Sequence, residues 1–477
     1  LFIFSSCTGF VEPDPSVPVI TGIEITGDTT AELAILISWS AAVNSGGYNI
    51  YRSEDGGAFT YTGSTGSSQL SYIDADDDLV LGNTYTYKIS SYGYWHTKES
   101  AMSLISTGID FFLQPVWENI FTHTSGSPVK IKIALSPANE VYFVYADDTG
   151  LLHVGRVIEE EDPDDEDETI FTKEQLEDVS FTPKVDPANP DFDIIFTDDA
   201  LYIGFADVDE SKNMSVLKVT AETDDDDVLT WEYTGFGAVG FTTNPVSSIS
   251  LAANSGIFTT SGTLYAGSIS NTQLQIWERP LDASSGTVWE DISPLSTTGT
   301  PEYTKIFMDG SNLSAAYNND SSDLDILSRS SSDTWPEYDS LPLTFSPTGE
   351  HFSTEIAGSQ LSVFSFESGN TWNIQTRDDD EWIIQDNDSG FDTVSSGLTS
   401  PFSSAVTASN MYLMAVTSSG PEVLTYDRDV EKWFAYGNPG GSGSVSSPQL
   451  VVSTGAGTEN YYAAWIEGST AHISVGR

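Results

Sequence analysis

Oxygen-bearing side chains bunch at a few short intervals along this chain: Asp147-Asp148, then Asp207, Asp209, Ser211 and Asn213 at alternate positions, then Asn318-Asn319-Asp320. Hard cations take several oxygen ligands at close spacing. Asp207, Asp209, Ser211 and Asn213 therefore read as part of a calcium loop, and calcium is the one cofactor the sequence suggests. Lys212 stands where such a loop wants Gly, and Ser215 and Lys218 stand where later acidic ligands belong. A solvated hairpin turn is thus the competing reading. Asp147, Asp148, Asn318, Asn319 and Asp320 read as candidate ligand contacts on loops. The run Tyr94-Trp95-His96 adds an aromatic candidate, because exposed Tyr and Trp supply contact area at low entropic cost; packing against the next module competes with that role.

Catalytic signatures are a poorer match. The chain has no G-x-S-x-G elbow, no Walker loop, no H-E-x-x-H and no paired-Cys metal spacing, and no residue is assigned as catalytic. His153 and His472 occupy similar strand positions near Arg156 and Arg477, a pattern that reads as repeat packing. A glycosidase needs only two carboxylates at the right separation. With 71 acidic residues, a carbohydrate-active hydrolase or lyase stays open as the alternative to a binding protein.

The elements that must position these residues repeat. A short apolar strand recurs around Tyr142, Tyr202, Tyr265, Ser314, Ser362, Tyr412 and Tyr462. The later steps are about 50 residues, a repeat length typical of stacked supersecondary units. A second strand follows each, as in Leu324-Asp325-Ile326-Leu327-Ser328-Arg329, and then a strand carrying Trp231, Trp289, Trp335, Trp382 or Trp433. Alternating runs such as Phe192–Phe196, Tyr303–Phe307 and Phe352–Ile356 lie upstream. Four short strands per unit, split by turn residues, predict an up-and-down sheet, and a ring of such sheets is a β-propeller.

The seventh repeat ends at Arg477 without its Trp strand. Val116-Trp117-Glu118-Asn119-Ile120 copies Val288-Trp289-Glu290-Asp291-Ile292, so the N-terminal edge is expected to complete the last blade. Arg156, Arg279, Arg329, Arg377, Arg428 and Arg477 all end the same strand of their units. That placement predicts framework cations, paired with acids such as Asp378 and Asp429 or laid along a neighbouring Trp. The longer acidic runs, Glu159–Glu168 and Asp224–Asp227, are expected to project as solvated loops.

Residues 18–108 differ from the repeats. Trp39, Tyr48-Asn49-Ile50-Tyr51, Tyr72, Leu81 and Tyr85-Thr86-Tyr87 alternate apolar and polar positions, and the segment resembles a fibronectin type III domain. The expected fold is all-β: a 1–17 signal remnant and tether, an 18–108 fibronectin type III-like β-sandwich, and a 110–477 seven-bladed β-propeller. In architecture the propeller resembles sialidases, whose arginine cluster at the central mouth grips a carboxylate. Here the repeated Arg sit at hairpin ends, and Ser53–Phe59, which resembles the aspartate box of those enzymes, occurs once and in the other module. Both departures argue against that activity.

With 71 Asp and Glu against 17 Lys and Arg, the net charge of −54 disfavours nucleic acid and anionic membrane surfaces as partners. Simple solubility, adaptation to high salt and a surface that meets cations all fit such a composition. One Cys rules out an intrachain disulfide. Leu1-Phe2-Ile3-Phe4-Ser5-Ser6-Cys7 resembles the end of a bacterial lipoprotein signal peptide, which implies lipidation at Cys7 and a tether over Thr8–Pro18. No run is long and apolar enough for a membrane-spanning helix, so membrane contact is expected only through a lipid anchor. The sequence therefore predicts a monomeric binding or adhesion protein, secreted or anchored at the bacterial cell envelope, that meets a protein or glycan through a propeller face.

Overall fold

The computed structural model describes residues 12–477 apart from 28–32, 77, 81, 112–114, 163–164, 177–180, 198–199, 222–228, 235–239, 255–261, 283–286, 320–323, 331, 338–346, 358, 368–370, 379–380, 386–390, 392–394, 396, 429–430 and 454–458. Cys7, Asp320, Asp429 and the run Asp224–Asp227 lie outside the described residues. The chain divides into two units, Leu1–Gln114 and Pro115–Arg477.

The first unit has strands β1 (Ile20–Thr26), β2 (Ala34–Trp39), β3 (Gly47–Glu54), β4 (Thr60–Gly66), β5 (Ser71–Asp74), β6 (Thr84–Tyr92) and β7 (Ile109–Asp110). They form two sheets, β1-β2-β5 and β4-β3-β6-β7. Alternation sends Ile35, Ile37 and Trp39 of β2, Tyr48 and Ile50 of β3, and Tyr85, Tyr87 and Ile89 of β6 into one shared core. Two expectations change here. Ile109 pairs with Tyr85, and Phe111 packs edge-on against that ring, so this unit runs past the boundary expected at 108. The supposed tether is docked from Glu12 onward: Glu12 is buried, and the Ser16 N–H donates to the Val43 carbonyl at 3.0 Å.

The second unit opens with β8 (Trp117–His123) and continues through sheets of matching order. These are β9 (Lys130–Leu135), β10 (Val141–Ala146), β11 (Leu152–Asp162) and β12 (Asp165–Gln175); β13 (Phe192–Thr197), β14 (Ala200–Asp207), β15 (Asn213–Ala221) and β16 (Leu229–Tyr233); and β17 (Ser247–Asn254), β18 (Thr263–Ser270), β19 (Gln273–Pro280) and β20 (Glu290–Asp291). Then come β21 (Pro301–Asp309), β22 (Asn312–Asn319) and β23 (Leu324–Ser328); β24 (Pro347–Ala357), β25 (Gln360–Glu367), β26 (Thr371–Asp378) and β27 (Glu381–Ile384); and β28 (Thr399–Val406), β29 (Asn410–Thr417), β30 (Gly420–Asp427) and β31 (Lys432–Gly437). Last are β32 (Val445–Ser453), β33 (Asn460–Glu467) and β34 (Thr470–Gly476), against which β8 pairs antiparallel, Trp117 opposite Gly476. The acidic run after Glu159 is a correction: its backbone is not a loop but the paired ends of β11 and β12, up to Asp162 opposite Asp165.

The first strands β9, β13, β17, β21, β24, β28 and β32 each contact the next, and β32 contacts β9, so the sheets close into a β-propeller. Each second strand is buried on both faces, which is why its sequence is almost continuously apolar. Its alternate residues serve opposite neighbours. Tyr142, Val144 and Ala146 pack with β14 residues Leu201, Ile203 and Phe205, whereas Val141, Phe143 and Tyr145 pack with Tyr462, Ala464 and Ile473. Two sheets approach their neighbours closely enough to exclude a side chain: a Cβ on Gly204 would lie 2.9 Å from Leu251, and one on Gly267 2.7 Å from Ile306.

At the rim, four of the repeated Trp tie one sheet to the preceding one. The indole N–H of Trp289 donates to the Thr234 carbonyl at 2.8 Å, Trp335 to Ile292 at 2.8 Å, Trp433 to Gln385 at 2.9 Å and Trp117 to Tyr436 at 3.2 Å. At the axis, polar side chains do the same work. Asp193 accepts from the Leu251 N–H at 3.0 Å, Ser250 from Ile306 at 3.1 Å and Ser403 from Leu450 at 3.0 Å, each bond crossing to the next first strand. Ser248 and Ser447 occupy matching places at β-bulges, with φ of 54° and 51°. Ser248 accepts from Thr304 N–H at 2.7 Å, and Ser447 accepts from Ile131 N–H at 3.1 Å. Ser248→Ala leaves the buried Thr304 amide without that acceptor, so it should cost about 1–3 kcal/mol, read as a lower urea midpoint. An unchanged midpoint would show that these bonds do not hold the ring.

Candidate ligand-binding site in the axial cavity

The first strands surround a cavity of about 700 Å³ on the propeller axis. Its wall follows from the register. The residues opposite Val144, Gly204, Gly267, Ala316, Phe364, Met414 and Ala464 of the second strands are Lys132, Asp193, Ser250, Lys305, Ser353, Ser403 and Gln449. Every one of these equivalent positions is polar, and all but Ser250 line the cavity, with Lys130, Glu355 and Ser404 beside them. Tyr303, Phe352 and Phe402 add apolar faces.

Charge within this wall is unevenly satisfied. The Lys132 ammonium donates to Asp193 at 3.0 Å, while the other Asp193 oxygen takes the Leu251 N–H. Burial alone would raise the Asp193 pKa, but Lys132, Lys305 and the Leu251 amide hold it well below the usual carboxylate range. Glu355 accepts from the hydroxyls of Ser353 at 3.0 Å and Ser404 at 3.1 Å. Its remaining exposure is to the cavity it lines. Burial among protein atoms pushes its pKa to about 7 against the pull of Ser353, Ser404, Lys305 and Lys132. The two carboxylates thus share one wall and sit at opposite ends of the titration range.

The loop candidates are held in other ways. Asp147 is buried and accepts from the Thr149 N–H at 2.8 Å, the Thr149 hydroxyl at 2.7 Å and the Leu151 N–H at 2.9 Å, with His153 at 3.1 Å. Its carboxylate is occupied by its own turn, while Asp148 is exposed. Asn318 and Asn319 are not on a loop but buried in β22, where Asn319 donates to Asp325 at 3.0 Å. Asp207 turns inward, capping a single turn of 3₁₀ helix through the Asp209 N–H at 3.1 Å and accepting from the Ser215 hydroxyl at 3.1 Å. Ser211 and Lys212 carry the chain through positive φ. Among the described residues no three His, Cys, Asp or Glu side chains converge as a metal site, and Asp207, Asp209, Ser211 and Asn213 form a capped turn.

Tyr94 and Trp95 are exposed at 65% and 52%. The tip that carries them is pinned from below, because the Trp95 N–H donates to Glu12 at 2.5 Å and the Thr97 hydroxyl donates to the same carboxylate. His96 stacks on Tyr92 with ring centroids 4.3 Å apart. Of the framework cations, Arg329 reaches across sheets to Glu278 at 2.6 Å, and Arg156 lies 3.8 Å from Glu140. Lys132, Asp193, Lys305 and Glu355 are the residues that sequence reasoning did not single out as a site. Lys132, Asp193 and Lys305 hold matching positions of the upstream alternating runs and Glu355 lies two residues beyond that position, an equivalence that only the register reveals.

No protein-family model matches the chain, and no curated protein is similar to it. Solved structures similar to it include a fungal lectin, that of Aleuria aurantia, described as a six-bladed β-propeller with a novel fucose recognition mode; identity is 10% over 68% of this chain and 97% of that one, with a TM-score of 0.41. A protein of unknown function from Bacteroides thetaiotaomicron is similar at 9% identity over 96% of this chain and 98% of that one, TM-score 0.38. An Fn3-like protein from Clostridium thermocellum is similar at 22% identity over 20% of this chain and 88% of that one, TM-score 0.15.

Glu355 makes stability depend on pH. Its folded pKa of about 7 lies above the ordinary value of 4.5, so the folded chain holds the proton more tightly than the unfolded one. Stability therefore falls as pH rises through that window, by up to about 3 kcal/mol. Asp193 acts in the opposite sense, and its contribution is lost as pH falls below the ordinary aspartate value of 3.8. Glu355→Gln should match the parent near about pH 5 and exceed it by about 1–3 kcal/mol near about pH 8, measured by urea unfolding at each pH. Equal stability at both would mean that Glu355 ionises freely.

Proposed function

We propose that this chain is a bacterial envelope or secreted binding protein whose seven-bladed propeller takes a glycan in the axial cavity, with a fibronectin type III-like module as its spacer. The observation that carries this reading is the cavity wall. Ammonium, hydroxyl, amide and carboxylate groups converge there from several first strands, beside Tyr303, Phe352 and Phe402. Sugars present alternating donors and acceptors around apolar C–H faces, and such a wall complements both. The volume falls within the range of small-ligand sites, about 300–1,000 Å³. A lipid on Cys7 would account for Ser5-Ser6-Cys7, and a mass spectrum of the native protein tests it.

A second reading, a carbohydrate-active hydrolase or lyase, draws on Glu355, a carboxyl poised near neutrality as a general acid requires. Asp193 weakens it. The Lys132 ammonium and the Leu251 amide hold its pKa low, which makes it a poor general base.

Glycan-array screening followed by calorimetry tests the reading. Gln449→Ala and Glu355→Ala should each weaken the best glycan by about tenfold, as expected for loss of one buried hydrogen bond, while Trp95→Ala should leave affinity unchanged. Affinity that ignores the axial variants and falls with Trp95→Ala would move the site to the first unit. Turnover of the bound glycan would establish the enzyme reading instead.

A further inference from the structure

Resting on the glycan reading above, we infer that the axial cavity selects sugars bearing a carboxylate, hexuronates above all, and that the Lys305 ammonium is the group that meets that carboxylate.

Lys305 differs from the paired cations of the chain. Arg52, Arg156 and Arg329 have acid partners, and Lys132 is committed to Asp193. The Lys305 ammonium makes no hydrogen bond and lies within 4 Å of no carboxylate among the described residues, although it is half-buried and lines the cavity. Removing an ammonium from water without a partner is costly, so its place in the wall calls for an anion. Acids are abundant in this chain, with 71 of them against 17 basic residues, yet among the described residues none closes on Lys305. Of the three ammoniums in the wall, Lys132 is held by Asp193 and Lys130 by the Pro190 carbonyl, which leaves Lys305 open, while the hydroxyls of Ser353 and Ser404 serve Glu355.

The charges facing Glu355 decide how the preference varies with pH. Lys132 on β9, Asp193 on β13, Lys305 and Tyr303 on β21 and Glu355 on β24 all line the cavity. Lys130 of β9 lines it too, its ammonium donating to the Pro190 carbonyl at 2.9 Å, so with Lys132 and Asp193 cancelling the balance is Lys130 and Lys305 against Glu355. Glu355 is protonated below about 7, leaving the cavity net positive through Lys130 and Lys305 and giving it a carboxyl O–H able to donate to a ligand carboxylate. Above that value it becomes a competing anion. Affinity for a uronate should therefore fall as pH rises. The outer surface works differently: a net charge of −54 repels an anionic sugar at long range, and salt screens that repulsion more than it screens contacts inside the cavity. Association with a uronate should consequently speed up with added salt, the reverse of ordinary electrostatic steering.

The test is calorimetry and stopped-flow with the full chain and three probes: an oligogalacturonate, the neutral galactose oligomer of the same linkage, and a sulfated galactose oligomer. At about pH 5.5 the uronate should bind at least about tenfold tighter than the neutral oligomer, and the gap should narrow near about pH 8.5. Lys305→Met should bring uronate affinity down to that of the neutral oligomer, Lys305→Arg should keep a preference, and Glu355→Gln should flatten the pH dependence. Thermal unfolding of each variant separates loss of binding from loss of fold. Neutral and uronate oligomers binding equally well would overturn the inference and leave glycan binding standing. Tighter binding of the sulfated oligomer would assign the cation to a sulfate ester and overturn the carboxylate. Failure of all three together with every glycan on the array would overturn both readings.

Discussion

Neighbouring first strands in this ring belong to different sheets and share no backbone ladder, and that constraint organises everything else. Sheets stacked face to face around an axis can be held by apolar burial between them, but burial is non-directional and does not stop a ring from slipping or opening. Directional bonds have to come from side chains. At the rim they come from Trp indoles donating to the preceding sheet, and at the axis from Asp193, Ser250 and Ser403 accepting amide protons of the next strand. The last sheet adds the one backbone ladder that joins distant parts of the ring, β34 with β8.

This requirement explains why the axis is polar. Asp193, Ser250 and Ser403 use this position to bridge to the next sheet, and a Ser suffices for that bond. Lys132, Asp193 and Lys305 go further than the structure requires, because they bring charge that must then be balanced inside a confined space. Asp193 is balanced by Lys132 and by the Leu251 amide, and its carboxylate is held ionised. Glu355 has only hydroxyl donors close by, and burial dominates it. Two acids in one wall thus differ through their partners and not through their depth.

The ring was legible because its signals are local and repeated: continuous apolar second strands, a Trp at a fixed later place, and Val116–Ile120 displaced to the front of the unit. The site was legible only in part. Acid clusters such as Asp147, Asp207 and Asn318-Asn319 look like ligand loops when exposure is inferred from polarity. In the structure they satisfy turn amides or lie buried in a strand. Short Asp and Asn side chains reach their own backbone easily, which is why they gather at turns regardless of ligands. Lys305 and Glu355, by contrast, sit in alternating runs that give no hint of which face is inward until the register of seven sheets is known.

The distribution of cations sharpens this point. A protein so rich in acids can neutralise nearly any lysine it buries, and Arg329 illustrates how readily: it holds Glu278 of the neighbouring sheet and Asp333 of its own turn. Lys305 sits amid first strands that carry Asp193 and Glu355, and still neither closes on it. Moving either carboxylate onto Lys305 would take it from the groups that now fix it, the Lys132 ammonium and Leu251 amide for Asp193, the Ser353 and Ser404 hydroxyls for Glu355. The bonds that fix Asp193 and Glu355 therefore keep the Lys305 ammonium available, and in the proposed reading the framework and the binding chemistry are two uses of the same polar wall.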